Sequence, residues 1–309
     1  MKRIAILGAG GFVGRNLVDH LNGRYEIYPI TRNQFSLLNE AAVKNFFDVN
    51  AIDVVIHCAN QGGSRKTGYT EKTDVIGINL RMFYNIERCL TSSMKLIHFG
   101  SGAQYDKSRD LIKISETSIG ESIPQDEYGF SKYVLSKYIK INRNIYNPII
   151  FGLFGAYEDY TFKFISNSIL KNILRMPIVI NQNVLFDYLY MHDFLKITDL
   201  IIEHDYIHKE FNITPTQSID LLSIARLING CSHYQSDIIV RNEGWNHQYT
   251  GSNQRLMENF GLFHFTPYAS SINELYQFYL KNLKSIDLDQ IRQDQYSIYC
   301  KTNEESKGQ

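Results

Sequence analysis

Hydrophobic and polar positions along the first half of the chain switch between two periods. Short, nearly unbroken apolar runs at residues 3–7, 25–30, 52–59, 95–99 and 147–151 predict strands. Between them, apolar residues three and four apart predict helices from Phe12 onward and over 36–49, 74–90 and 127–144. The run at 52–59 is apolar enough to need cover on both faces. Strands alternating with helices predict an α/β fold with a doubly wound parallel sheet and right-handed crossovers. Residues 106–126 are polar and break the alternation, so irregular chain is expected there.

The second half is less regular. Residues 161–174 have helical spacing, 177–190 read as a hairpin turning on Asn181-Gln182-Asn183, and Met191 opens a helix with His192 or Asp193 as its cap. Further segments at 210–213, 221–228, 238–240, near Gln254 and over 271–283 complete a smaller mixed α/β unit. The expected division is a dinucleotide-binding domain over 1–155, a substrate domain over 156–285 whose chain re-enters the first around 184–205, and a polar tail over 286–309.

Punctuation between the first strand and the first helix brings in chemistry. Gly8, Gly10, Gly11 and Gly14 fit both Gly8-x-x-Gly11-x-x-Gly14 and Gly8-x-Gly10-x-x-x-Gly14. Glycines there allow a tight turn, a close approach of backbone to a pyrophosphate and a close helix–strand contact, with helix-start N–H groups aimed at the anion. Gly8, Gly11, Phe12, Val13 and Gly14 are therefore candidate cofactor contacts. Beyond the second strand stand Thr31, Arg32 and Asn33, without a carboxylate. Arg32 favours the 2′-phosphate of NADP(H), with NAD(H) as second choice.

The formal net charge is zero, which gives no argument for nucleic acid or an anionic membrane as partner. Cys58, Cys89, Cys231 and Cys300 lack paired spacing, and no His or Cys cluster suggests a metal, so none is expected. No leader and no run near membrane-span length is apparent; a soluble, cytoplasmic protein is the expectation.

The fourth strand ends in Gly100-Ser101-Gly102, at the sheet edge where ligands bind in such folds. Tyr128 and Lys132, four apart at the start of a helix, share a face, and a lysine ammonium there stabilises tyrosinate and lowers the tyrosine pKa. Tyr133 and Lys137 repeat the spacing but face another way.

Taken in order, the glycines, His57-Cys-Ala59, Ser101 four before Tyr105, and Tyr128-Gly-Phe-Ser-Lys132 resemble the extended short-chain dehydrogenase/reductase family, in its nucleotide-sugar-modifying branch. The resemblance runs to about Tyr279. It implies an N-terminal Rossmann domain and a smaller domain for a nucleoside-diphosphate sugar. It implies Ser101, Tyr128 and Lys132 as the catalytic set, with Ala59, Tyr128 and Lys132 also at the cofactor, and a homodimer through the helices at 74–90 and 128–144. Dehydratases of the family carry Asp-Glu after the catalytic threonine, where this chain has Gly102-Ala103. The segment Ala59-Asn-Gln61-Gly-Gly63 with Gly100-Ser101 is similar to GDP-fucose synthases, which places Gln61 and Gly102 near the sugar. Their epimerising cysteine is replaced by Ala103, and no histidine stands between Gly155 and Lys163. The arginine expected for the diphosphate is Phe186 here, which leaves Lys163, Arg175, Arg241 and Arg255 as unranked alternatives.

These readings favour NADPH-dependent reduction of a 4-keto-6-deoxy sugar nucleotide for a surface polysaccharide. The alternatives are a 4-epimerase with bound NAD and a non-catalytic dinucleotide sensor or scaffold.

Overall fold

A computed structural model describes residues 1–62, 74–141, 144–294 and 296. Gly63, Cys300 and most of the expected tail lie outside the described residues.

In chain order the elements are β1 Arg3–Leu7, α1 Phe12–Leu21, β2 Glu26–Ile30, α2 Glu40–Val49, β3 Val54–His57, α3 Val75–Glu87, β4 Lys95–His98, β5 Gly100–Ser101, β6 Leu111–Ile114, α4 Glu127–Ile139, β7 Ile145–Ile150 and β8 Gly152–Phe154. They continue with α5 Phe164–Ile173, β9 Ile178–Asn183, β10 Leu185–Phe186, β11 Tyr188–Tyr190, α6 Met191–Glu203, β12 Glu210–Ile213, β13 Ile219–Asp220, α7 Leu221–Gly230, β14 Ile238–Trp245, β15 Tyr249–Gly251, α8 Gln254–Phe260, α9 Tyr268–Asn282 and α10 Leu288–Arg292.

The main sheet runs β12-β7-β4-β3-β1-β2, all parallel, with β5 set against β7. Its central strands β1, β3 and β4 are buried on both faces, as the unbroken apolar runs require, whereas the edge strand β2 is half exposed. The chain leaves β1 toward β2 and returns on the other side with β3. This reversal opens a crevice at the carboxyl ends of β1 and β3, where such sheets bind ligands.

Two apolar clusters account for much of the buried core. One gathers β1, α1, β3 and β4 residues with Leu189 to Ile213 and Leu256. The other joins α5, β9, α7, α9 and Ile291 of α10. Buried Lys171 pairs with Asp294, so the start of the expected polar tail is folded against α5. No helix among the described residues is long and apolar enough to cross a membrane.

Several expectations change. Residues 177–190 are not a hairpin: β9 pairs in parallel with β14, β10 pairs antiparallel with β13 and parallel with β15, and β11 pairs in parallel with β8. The asparagines read as a turn serve that pairing, Asn242 donating to the Asn181 carbonyl at 2.8 Å. Residues 106–126 contain a strand, β6, alongside β15. Asp193 does not cap α6; it accepts from the Thr266 backbone and hydroxyl at 2.7 and 2.8 Å.

Candidate active site

The glycine cluster forms the crevice floor. Gly8 has φ +91°, and a Cβ there would stand 2.6 Å from the Ala59 nitrogen; a Cβ on Gly14 would stand 2.3 Å from the Gly8 carbonyl. Neither position admits a side chain. Gly11 precedes α1 without a capping side chain, so the first-turn N–H groups of Phe12, Val13 and Gly14 lack helical partners and open toward the crevice. This cradle fits a pyrophosphate. Arg32 is exposed beyond β2. Beside it a cavity of about 330 Å³ is lined by Ala9, Arg15, Thr31, Gln34 and Tyr157, with Arg15 lying 4.3 Å over the Tyr157 ring. Arg15 was not foreseen; its place directly after Gly14 was the available signal.

Ser101 ends β5 and starts a short helical turn, Gly102–Tyr105. Its hydroxyl accepts from the Ala103 N–H at 3.2 Å, and its own N–H donates to Gln104 at 3.3 Å. α4 is started by Asp126, which accepts from the Gly129 N–H at 2.9 Å. A Cβ on Gly129 would meet the Ala103 carbonyl at 2.6 Å. The missing side chain thus lets α4 lie against the Ser101 turn, which brings Tyr128 to the side of Ser101.

Lys132, one turn on, is buried and donates to the Phe99 carbonyl at 2.7 Å, 5.9 Å from the Tyr128 ring centre. Burial lowers its pKa to about 8. Behind it lie His98, 3.5 Å away, and His57, whose Nδ1 is 3.0 Å from the Nδ1 of His98. Burial and the Lys132 charge hold both imidazoles neutral. The expectation that Lys132 depresses the Tyr128 pKa is corrected: burial raises it, and the neighbouring Ser101 hydroxyl opposes the rise. The competing Tyr133 and Lys137 pair is turned to the Ile119 carbonyl, which Lys137 meets at 2.7 Å.

Gln61 is held through its backbone by buried Asn79 of α3, at 2.8 and 2.9 Å, and a Cβ on Gly62 would stand 3.5 Å from the Tyr128 Cβ. A polar residue inside an apolar helical stripe was the signal for Asn79. A Cβ on Gly102 would stand 2.5 Å from the Tyr249 hydroxyl, which therefore lies over the turn that follows Ser101. Tyr249 lies in a stretch where the sequence pattern gave no signal.

The candidate diphosphate cations are dispersed. Lys163 and Arg175 flank opposite ends of α5, separated by about 15 Å of helix. Arg241 is exposed on β14. Arg255 donates to the Glu210 carbonyl at 3.1 Å and stands 3.7 Å from the buried Glu116 carboxylate.

The sequence profile of the NAD dependent epimerase/dehydratase family matches residues 4–214. The chain is 25% identical over 170 residues to the GDP-L-colitose synthase of Yersinia pseudotuberculosis, a match that covers 51% of this chain and 55% of that protein. It is similar in structure to a GDP-L-fucose synthetase from Naegleria fowleri bound to NADP, with TM-score 0.78, 17% identity and coverage of 92% and 94% of the two chains. It is also similar to a GDP-mannoheptose C4 reductase from Campylobacter jejuni with NADP bound, with TM-score 0.74, 16% identity and coverage of 90% and 98%. These structural likenesses establish the fold.

Proposed function

Because the chain belongs to the NAD-dependent epimerase/dehydratase family, and so is an enzyme of nucleotide-sugar chemistry, we propose that it reduces the 4-keto group of a nucleoside-diphosphate 4-keto-6-deoxy sugar with NADPH, for a surface polysaccharide. The observation that carries this reading is Tyr128 set against the Ser101 turn, with buried Lys132 one helical turn on and no acid at positions 102 and 103. A proton donor is in place for carbonyl reduction; the acid pair that would expel water is absent from that turn. The names of the colitose synthase and the heptose C4 reductase support the same class of substrate.

When bound, NADPH supplies the hydride taken by the carbonyl carbon. Ser101 holds the carbonyl oxygen, and Tyr128 delivers a proton to it as charge develops there. Lys132, fixed by the Phe99 carbonyl one turn beyond Tyr128, would hold the nicotinamide ribose. The cradle from Gly8 to Gly14 holds the pyrophosphate, and Arg32 with Arg15 lies on the side suited to a 2′-phosphate.

The test is NADPH and NADH titration, followed by NADPH consumption with GDP-4-keto-6-deoxymannose and its dTDP counterpart. NADPH is expected to bind more tightly and to be consumed with one of them. Tyr128→Phe should abolish consumption and leave NADPH affinity within about twofold. Turnover by that variant at the wild-type rate overturns the proton route. Tight NAD(H) binding without net consumption would replace the reductase reading by epimerisation.

A further inference from the structure

β3 and β4 end in two histidines that meet behind Lys132. His57 and His98 are directly paired across the parallel strands, so both rings leave the sheet on one face, the face that α3 and α4 cover. Both are buried, with 3% and 2% of their surface exposed. Phe83 of α3 closes edge-on over His98 at 5.1 Å, and Lys132 reaches in from α4. The two Nδ1 atoms stand 3.0 Å apart, a hydrogen bond that a proton from one ring must supply. On the far side of the His98 ring, Nε2 makes a long hydrogen bond of 3.5 Å with the Lys132 amine. His57 Nε2 has no hydrogen-bond partner among the described residues.

The protons on this chain of nitrogens follow from the donors available. A neutral imidazole carries one N–H and one bare nitrogen, and an ammonium offers three N–H groups and accepts nothing. Facing Lys132, His98 Nε2 is therefore the bare nitrogen. The His98 proton sits on Nδ1 and is donated to His57 Nδ1, which leaves the His57 proton on Nε2. The reverse tautomers would keep the bond between the rings but turn an N–H of His98 toward the ammonium. Of the three ammonium N–H groups, the Phe99 carbonyl holds one at 2.7 Å and His98 holds a second. The third has no partner among the described residues.

We propose that His57 and His98 are positioning residues for the Lys132 amine: His57 sets the tautomer in which His98 Nε2 accepts one ammonium N–H, and together with the Phe99 carbonyl this leaves the third N–H for the ribose of the cofactor. The proposal rests on the reading of Lys132 as the residue that holds that ribose. Neither histidine gains or loses a proton in this role. The groups facing Lys132 are His57 and Cys58 at the end of β3, His98 of β4 and Tyr128 of its own helix. Burial keeps both imidazoles uncharged and the Cys58 thiol protonated, so none of these three brings a competing charge. One histidine alone would not suffice. Without His57, the Nδ1–H of His98 would be buried and unpaired, and nothing would set its tautomer.

The tautomers are read directly by 1H–15N correlation of the imidazole rings in 15N-labelled protein without cofactor, each ring being assigned through its bonds to the backbone. Near neutral pH, His98 is expected in the Nδ1–H form and His57 in the Nε2–H form; the reverse pair overturns the proposal. As Lys132 loses its proton, at about pH 8, the His98 Nε2 resonance should shift, and that step should vanish in Lys132→Met. No step in the wild type, or one of the same size in Lys132→Met, overturns the proposal. His98→Phe keeps the contact with Phe83 and removes the acceptor, so NADPH affinity should fall by about three- to tenfold. In His98→Gln the amide oxygen can stand where Nε2 stood, and affinity should return to within about twofold of wild type. Wild-type affinity in His98→Phe, or equal weakening in both variants, overturns the proposal. The tautomer measurement uses the wild-type protein and decides the matter where a variant does not fold. Failure to bind NADPH or NADH would remove the ribose reading, and inactivity on sugar nucleotides the reductase reading; neither touches the tautomers.

Discussion

Lys132 stays charged at a cost to the folded state. Burial brings its pKa down to about 8 from the ordinary 10.5. A base with a lowered folded pKa contributes full stability above its unfolded value, loses it as the pH falls through the window from 10.5 to about 8, and loses no more below. Lys132→Met should therefore raise thermal stability near neutral pH by up to about 3 kcal/mol, less what the Phe99 carbonyl gives up, and should abolish turnover. Melting curves check the sign, since the gain should vanish at about pH 10.5. Ser101, Tyr128 and Lys132 were legible because short spacings and a place at the sheet edge define them. Tyr249 was not, because only the pairing of β15 with β6 and β10 carries its hydroxyl over Gly102.

α4 is placed by what Gly129 lacks. In Gly129→Ala the new methyl would collide with the Ala103 carbonyl, so the start of the helix must back away from the Ser101 turn. A loss of about 1–3 kcal/mol and a fall in turnover of at least about tenfold are expected, with helical circular dichroism retained. The strands of the main sheet and most helices could be read from periodicity, although several helices are shorter than their apolar stripe: Asn39 and Asp74 cap α2 and α3, accepting from Ala42 and Gly77. The second half misled for a physical reason. A strand alternates side chains in the same way whether its partner is the next segment or one sixty residues away, so the sequence of β9 could not announce β14 over β10.

Across the molecule, one buried carboxyl ties stability to pH. Glu158 lies beside the second apolar cluster, and burial pushes its pKa up to about 7 against the opposing effects of Lys163 and the Ser166 hydrogen bond. An acid with a raised folded pKa lends its stability below the unfolded value of 4.5, and that stability is lost as the pH rises through the window to about 7. Glu158→Gln should melt higher than wild type at about pH 8, by up to about 3 kcal/mol, and at the same temperature as wild type at about pH 4.5; a gain of the same size at both pH values would reject the titration as its cause. The passage of the chain back into the first cluster at Leu189 to Ile213 also bears on the order in which the protein can be made. β7 pairs on its outer side with β12, more than fifty residues later in the chain. A nascent polypeptide emerging from the ribosome therefore carries β7 with an open, apolar edge until Glu210–Ile213 arrives, and that interval is when a chaperone has the most to shield.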